Sequence, residues 1–133
     1  MKNETKTNIQ TECLYIQDEE EAVKALKEGK QVMRYEFGDS MFPILKNGEY
    51  ARLIPKSQFR PIKQGDAVFC KMTDEQGNSW YLTHIVWMVS NSFYLIGSTG
   101  GHLNGWVHKS QVFAIALPTN KIVEKEKEDE FEK

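Results

Sequence analysis

The stretch WYLTHIVWMV, residues 80–89, has the strongest strand pattern in the chain. Its residues are mostly aromatic or β-branched, and such side chains pack well on a pleated sheet. The stretch is apolar on both faces for most of its length, which is typical of a strand covered on both sides. We therefore expect residues 80–89 to form a central strand of a sheet.

Shorter strand patterns lie on either side of this stretch, separated by turn signals. They are predicted at residues 14–16, 32–37, 49–54, 67–72, 93–96, 105–108 and 111–117. Residues 74–78 are typical of a hairpin loop because Gly and Asn tolerate positive φ. Many short strands with turns between them predict a mainly β fold, built as a compact, strongly bent sheet or partial barrel.

One short helix is predicted near the N-terminus, over residues 18–29. Acidic residues fill its first turn, lysines lie in its second half and a glycine ends it, as the helix dipole and cap preferences require. Its apolar stripe is narrow, so we expect it to pack on a sheet edge without deep burial. We divide the chain into an N-terminal polar segment with this helix (1–30), a β domain (31–118) and a charged tail, predicted to be disordered (119–133).

Composition excludes several classes of function. The chain has 133 residues and a net charge of -2, so it lacks the basic surface that nucleic acids require. Its N-terminus has no apolar run, and no segment approaches the roughly 20 apolar residues that cross a bilayer. We expect a cytoplasmic protein without membrane insertion. Two distant cysteines and three scattered histidines predict no metal site, and we expect no cofactor.

A candidate nucleophile lies in the segment GDSMFP, residues 38–43. Gly38 permits unusual backbone angles and Pro43 fixes φ and lacks an amide donor, so the chain is expected to turn sharply after a strand. A turn here exposes the Ser40 hydroxyl and leaves backbone amides for an oxyanion. The same residue types are also common in ordinary turns.

The candidate general base is His84, a polar residue within the apolar stretch 80–89. Side chains alternate along a strand, so His84 shares a face with Leu82 and Val86. A polar ring among such neighbours needs a hydrogen-bond partner, which is also true of a purely structural histidine. An imidazole with an ordinary pKa near 6.5 suits a general base at neutral pH.

Three segments in order, residues 38–45, 62–68 and 82–86, resemble motifs of one clan of serine peptidases. These are the signal peptidases and the self-cleaving SOS-type repressors of the LexA type. In that clan a Ser-Met pair carries the nucleophile, a Gly-Asp turn opens a later strand, and the base lies on the next strand. Most bacterial members use lysine, whereas endoplasmic-reticulum-type and archaeal signal peptidases use a histidine in a segment similar to residues 83–86.

The resemblance covers roughly residues 35–117 and implies a role for each matching residue. Ser40 attacks the scissile carbonyl, its amide contributes to the oxyanion hole, and His84 accepts its proton. Met41 helps to line the substrate groove. Asp66 matches the Gly-Asp turn and is expected to be mainly structural, as a turn aspartate in any protein is.

The chain departs from the clan's pattern at two places. Ile85 follows the base where an arginine is usual, and residues 97–106 contain no carboxylate where a Gly-Asp-Asn motif is expected. Ser98 takes the place of the aspartate. If a third residue orients His84, Ser98 or Asn104 has to do so through a neutral hydrogen bond, which supports an imidazolium less than a carboxylate does.

We therefore expect a small peptidase-like protein that cleaves an extended peptide with a Ser40/His84 dyad. The absence of a membrane anchor, a DNA-binding head and a cleavable Ala-Gly or Cys-Gly pair argues against the clan's familiar activities. Two alternatives remain open. One is a weakly active or inactive peptidase fold that binds a peptide or protein partner, and the other is a regulatory domain that forms a homodimer.

Overall fold

The computed structural model describes residues 13–36, 38, 41, 44–45 and 48–119. They form a mainly β fold, as the sequence predicts, and each predicted strand is present with its ends displaced by no more than two residues. The helix α1 is Glu19–Lys27. The strands are β1 Cys13–Tyr15, β2 Gln31–Glu36, β3 Glu49–Pro55, β4 Ala67–Thr73, β5 Ser79–Val89, β6 Phe93–Gly97, β7 Leu103–His108 and β8 Val112–Pro118.

The eight strands make one sheet in the order β1-β2-β3-β8-β4-β5-β6-β7. β1 pairs with β2 in parallel, and the other neighbours are antiparallel. β5, the strand of residues 80–89, is therefore an interior strand. β4 also contacts β7, although two strands lie between them in the sheet order, so this half of the sheet curls back on itself.

Both faces of the middle strands are buried. On β4, Ala67 and Phe69 belong to one apolar cluster, while Val68 and Cys70 belong to a second cluster on the other face. This alternation follows from the two-residue period of a strand. Burial raises the pKa of the Cys70 thiol to about 12, so this cysteine is an inert core residue.

The helix α1 covers the first of these clusters. Asp18 caps it by accepting a hydrogen bond from the Glu21 amide at 2.9 Å. Contrary to the expectation of a shallow edge position, α1 lies against β2, β3 and β8 and buries Ala22 and Leu26 almost completely. The short alanine side chains on this face let the helix approach the sheet closely. The narrow apolar stripe in the sequence does not show how deeply the helix is buried.

The second cluster is covered by the curled sheet itself. Val86 of β5, Ile96 of β6, Val107 of β7 and Ile115 of β8 pack against one another in it. No helix in the described part of the chain is long and apolar enough to cross a membrane.

Phe69 offers a direct test of this packing. Its ring is fully buried between Tyr81 and Phe113, with centroid separations of 5.7 and 6.3 Å. Phe69→Ala should lower the free energy of unfolding by about 3–5 kcal/mol, measured by urea denaturation, because it removes buried area and leaves a cavity. Phe93→Ala is the matched control: Phe93 is 42% exposed, and its loss should cost less than about 1 kcal/mol. Equal losses for the two variants would contradict the burial of β4.

Candidate active site

A cleft of about 260 Å³ lies beside the first half of β5. Its walls come from α1, from the end of β2, from residues that follow β2 in the chain, and from β5. The lining residues are Glu19, Arg34, Tyr35, Glu36, Gly38, Met41, Leu45, Tyr81, Leu82, Thr83 and His84. The cleft thus brings the predicted base, His84, together with Gly38 and Met41, which flank Ser40 in the sequence.

The cleft reaches both faces of β5 because of how this strand is paired. Residues 79–85 pair with β4, whereas pairing with β6 begins only at Ile85. Along residues 79–83, no strand in the described part of the chain pairs with the second edge of β5. Thr83 and His84 point to opposite faces, as neighbours on a strand do, and both line the cleft around this edge.

His84 is hydrogen-bonded to Asn104 on β7, with 2.6 Å between Nδ1 and Oδ1. An amide oxygen can only accept a hydrogen bond, so the Nδ1 atom carries the proton. The Nε2 atom of this tautomer then has a lone pair and can accept a proton. The contact therefore gives His84 the tautomer that a general base needs.

Burial lowers the pKa of His84 from its ordinary value. The hydrogen bond to Asn104 acts in the opposite direction, because it stabilises the imidazolium, and the nearby His102 lowers the pKa further. The net shift of the pKa is downward, which favours the neutral ring at neutral pH.

The loop between β6 and β7 carries Asn104 to this position. At Gly97 an added Cβ would lie 2.7 Å from the His102 carbonyl oxygen and 2.8 Å from the Trp87 ring, so only glycine fits. The Trp87 indole donates to the Ser98 carbonyl at 3.0 Å, and the Ser98 amide donates to the His102 carbonyl at 2.8 Å. These contacts tie the loop to β5, the strand that bears His84.

The two candidates for orienting His84 thus have different surroundings. Asn104 contacts the imidazole directly. Ser98 is 8% exposed, and its hydroxyl accepts a hydrogen bond from the His102 amide at 3.2 Å, within its own loop. Sequence alone named both residues, and the geometry distinguishes them because only one reaches the ring.

Asp66 lies in the turn before β4. Its carboxylate pairs with Arg60 through two hydrogen bonds of 2.9 and 2.8 Å and accepts a third from the Lys63 amide at 2.9 Å. Although burial opposes it, these contacts lower the pKa of the carboxyl group. Its carbonyl also accepts from the Val86 amide at 2.9 Å, so the residue anchors this turn to β5.

Met41 is 5% exposed and packs with Leu45 in the first apolar cluster. The Leu45 amide donates to the Met41 carbonyl at 2.9 Å, and Gly38 has a φ of 92°, which favours glycine. Ser40, the predicted nucleophile, and Pro43 lie outside the described residues.

The structure adds a carboxylate that the sequence did not single out. Glu36, the last residue of β2, lines the cleft and accepts a hydrogen bond from the Thr83 hydroxyl at 3.3 Å. Burial raises the pKa of Glu36, against smaller lowering effects of Arg34 and of the Thr83 bond. Its place near the predicted base depends on contacts between β2 and β5, which are distant in sequence.

Neither of the other histidines has a described hydrogen bond to the base, although His102 is close enough to lower its pKa. His102 is exposed, and His108 binds the Ser110 hydroxyl at 2.9 Å at the start of a short 3₁₀ helix. Among the described residues, no group of three or more His, Cys, Asp or Glu side chains is arranged to hold a metal ion.

Comparison of the chain with protein-family models, with curated proteins and with solved structures finds no match. The assignment of the candidate site therefore rests on the geometry and chemistry of its own residues.

The Asn104 contact predicts how substitutions shift the titration of His84. Asn104→Asp should raise the pKa of His84 by about 1 unit or more, because a carboxylate favours the imidazolium. Asn104→Ala should lower it, because the contact that stabilises the charged ring is lost. NMR titration of the imidazole ring protons, assigned with a His84→Gln variant, measures both shifts.

Ser98→Ala is the control for this titration and should leave the pKa of His84 near that of the wild type. A pKa that Asn104→Asp does not raise would show that the two side chains are not in contact in solution.

Proposed function

We infer that the protein is a serine peptidase in which Ser40 is the nucleophile and His84 the general base. The observation that carries this proposal is the cleft that His84 shares with Gly38 and Met41, the described neighbours of Ser40 in the sequence. The mainly β fold is compatible with the LexA and signal peptidase clan, to which we attribute the three sequence motifs.

The proposed reaction is acyl transfer through Ser40. The Oγ atom attacks the scissile carbonyl carbon while its proton passes to Nε2 of His84. His84 then gives this proton to the leaving amine as the C–N bond breaks, and water hydrolyses the acyl-enzyme by the reverse proton path. A neutral His84 can accept the first proton, and its lowered pKa keeps it neutral at neutral pH.

Asn104 completes the arrangement as a positioning residue. By accepting from Nδ1–H it holds the imidazole with Nε2 available to the nucleophile. An amide does this without the charge of an aspartate, as in the Cys-His-Asn sites of papain-like proteases. Because a neutral acceptor stabilises the imidazolium less, we expect slow turnover.

The open edge of β5 suggests how a substrate is held. Residues 79–83 have a described strand partner only on the β4 side, so an extended peptide can pair with their other edge, which leads towards His84. The substrate is then a peptide or an unfolded protein segment. Cys70 is a buried thiol that forms no disulfide bond, which fits a reducing compartment such as the cytoplasm.

The neutral Asn104 also favours a second candidate function, peptide binding without cleavage. In that case the same cleft and strand edge capture an extended segment, and Ser40 has no activated hydroxyl. A homodimeric regulatory domain is a third alternative, which light scattering over a range of protein concentrations tests.

Labelling with a fluorophosphonate probe tests the nucleophile. The wild type should form a Ser40 adduct, found by peptide mass spectrometry, because His84 activates the hydroxyl. Ser40→Ala and His84→Gln should abolish the adduct. The matched control is Ser110→Ala, since Ser110 and His108 form an exposed Ser–His pair that lies outside the cleft lining.

Labelling that survives Ser40→Ala would exclude Ser40 as the nucleophile. Peptide binding by a wild type that gives no adduct would favour the second candidate, a module that binds but does not cleave.

Backbone methylation tests the pairing with β5. A substrate peptide with an N-methylated amide at a position that pairs with residues 79–83 should be cleaved at least about tenfold more slowly, because it loses a hydrogen bond and clashes with the edge. Methylation at the adjacent position, whose amide points away from the strand, is the control. A series in which no single position is sensitive would contradict the proposed binding mode.

A further inference from the structure

Glu36 is an acidic side chain held inside the cleft, close to the predicted base. Its Oε2 atom accepts from the hydroxyl of Thr83, the residue before His84, at 3.3 Å. An ionised carboxylate has about four acceptor positions on its two oxygens. One long hydrogen bond therefore leaves most of its capacity available to a ligand in the cleft.

Arg34, the cation that lowers the pKa of Glu36, does not use this capacity. Its guanidinium lies over the Phe69 ring, 5.0 Å from the centroid, and its Nη2 atom faces Glu19 at 3.8 Å. Arg34 lowers the pKa of Glu36, but by less than burial raises it. The Arg34 side chain is only 11% exposed, so its charged group is largely inaccessible to a ligand in the cleft.

A second carboxylate, Glu49, lies across the strand pair from Glu36. Glu36 and Glu49 are direct partners in the antiparallel pair of β2 and β3, so their side chains leave the same face of the sheet. Like charges opposite each other are unfavourable in a sheet. This pairing favours a positively charged group beside Glu36 over a negatively charged one.

We propose that Glu36 is a specificity residue that binds a lysine or arginine side chain of the substrate next to the scissile bond. The inference rests on the proposed peptidase function. The cleft volume of about 260 Å³ is below the usual range for drug-sized ligands and suits one side chain. Glu36 and Thr83 form the part of the cleft that receives the charged end, while His84 lies at the bond to be cleaved.

Short acetylated peptides that carry lysine, norleucine or glutamate at one fixed position, varied along the peptide, test this assignment. Norleucine keeps the lysine chain and lacks the amine. Cleavage is measured with the wild type, and binding is measured with Ser40→Ala, which needs no catalysis. We expect lysine to exceed norleucine at one position by at least about tenfold in both measurements, because a charge-assisted hydrogen bond is gained.

Three variants identify the residue responsible. Glu36→Gln keeps the shape and the Thr83 contact but removes the charge, so the lysine preference should fall to near one. Glu36→Asp keeps the charge and should retain a lysine preference, which distinguishes recognition from a change in folding. Glu75→Gln makes the same change of net charge in the exposed β4–β5 hairpin loop and should leave the preference intact.

The outcomes separate this inference from the proposed function. Cleavage without a lysine preference at any position, or a preference that survives Glu36→Gln, overturns the role of Glu36 and leaves the peptidase intact. Lysine-selective binding without Ser40-dependent cleavage overturns the peptidase and retains Glu36 as the cation-binding residue of a peptide-binding module. If the protein shows neither lysine-selective binding nor Ser40-dependent cleavage, both the role of Glu36 and the peptidase function are overturned.

Discussion

The fold depends on covering both faces of the same few strands. Phe69 on β4 needs an apolar cover on one side, and Val68 and Cys70 need one on the other. The helix α1 and the side chains of Met41 and Leu45 supply the first cover, whereas the curled half of the sheet supplies the second. Because a strand exposes alternate side chains to each face, neither cover can be dispensed with.

This double burial explains why polar side chains of the cleft are paired across long sequence separations. A buried polar group without a partner destabilises the fold, so a polar side chain on β5 needs a donor or acceptor from another part of the chain. Thr83 has Glu36 of β2, and His84 has Asn104 of β7. The two contacts lie on opposite faces of β5, and Glu36, Thr83 and His84 all line the cleft.

The candidate site was predictable in part. The alternation along β5 correctly assigned His84 to the face of Leu82 and Val86, because the period of a strand is a local property. The choice between Ser98 and Asn104 was not predictable, since it depends on how the β6–β7 loop is fastened by Trp87 to the backbone at Gly97. Glu36 gave no sequence signal, because an acidic residue ending a strand is usually solvated.

The sequence by itself determined the strand pattern, the presence of the helix α1 and the mainly β class, since these follow from local periodicity and residue preferences. Only the tertiary structure decided the depth of α1, the His84–Asn104 contact and the position of Glu36 in the cleft. Each of these depends on residues from strands far apart in the chain, which the sheet order and its curvature bring together. For residues 80–89, the local pattern predicted a strand. The contacts that this strand makes on its two faces form the candidate site.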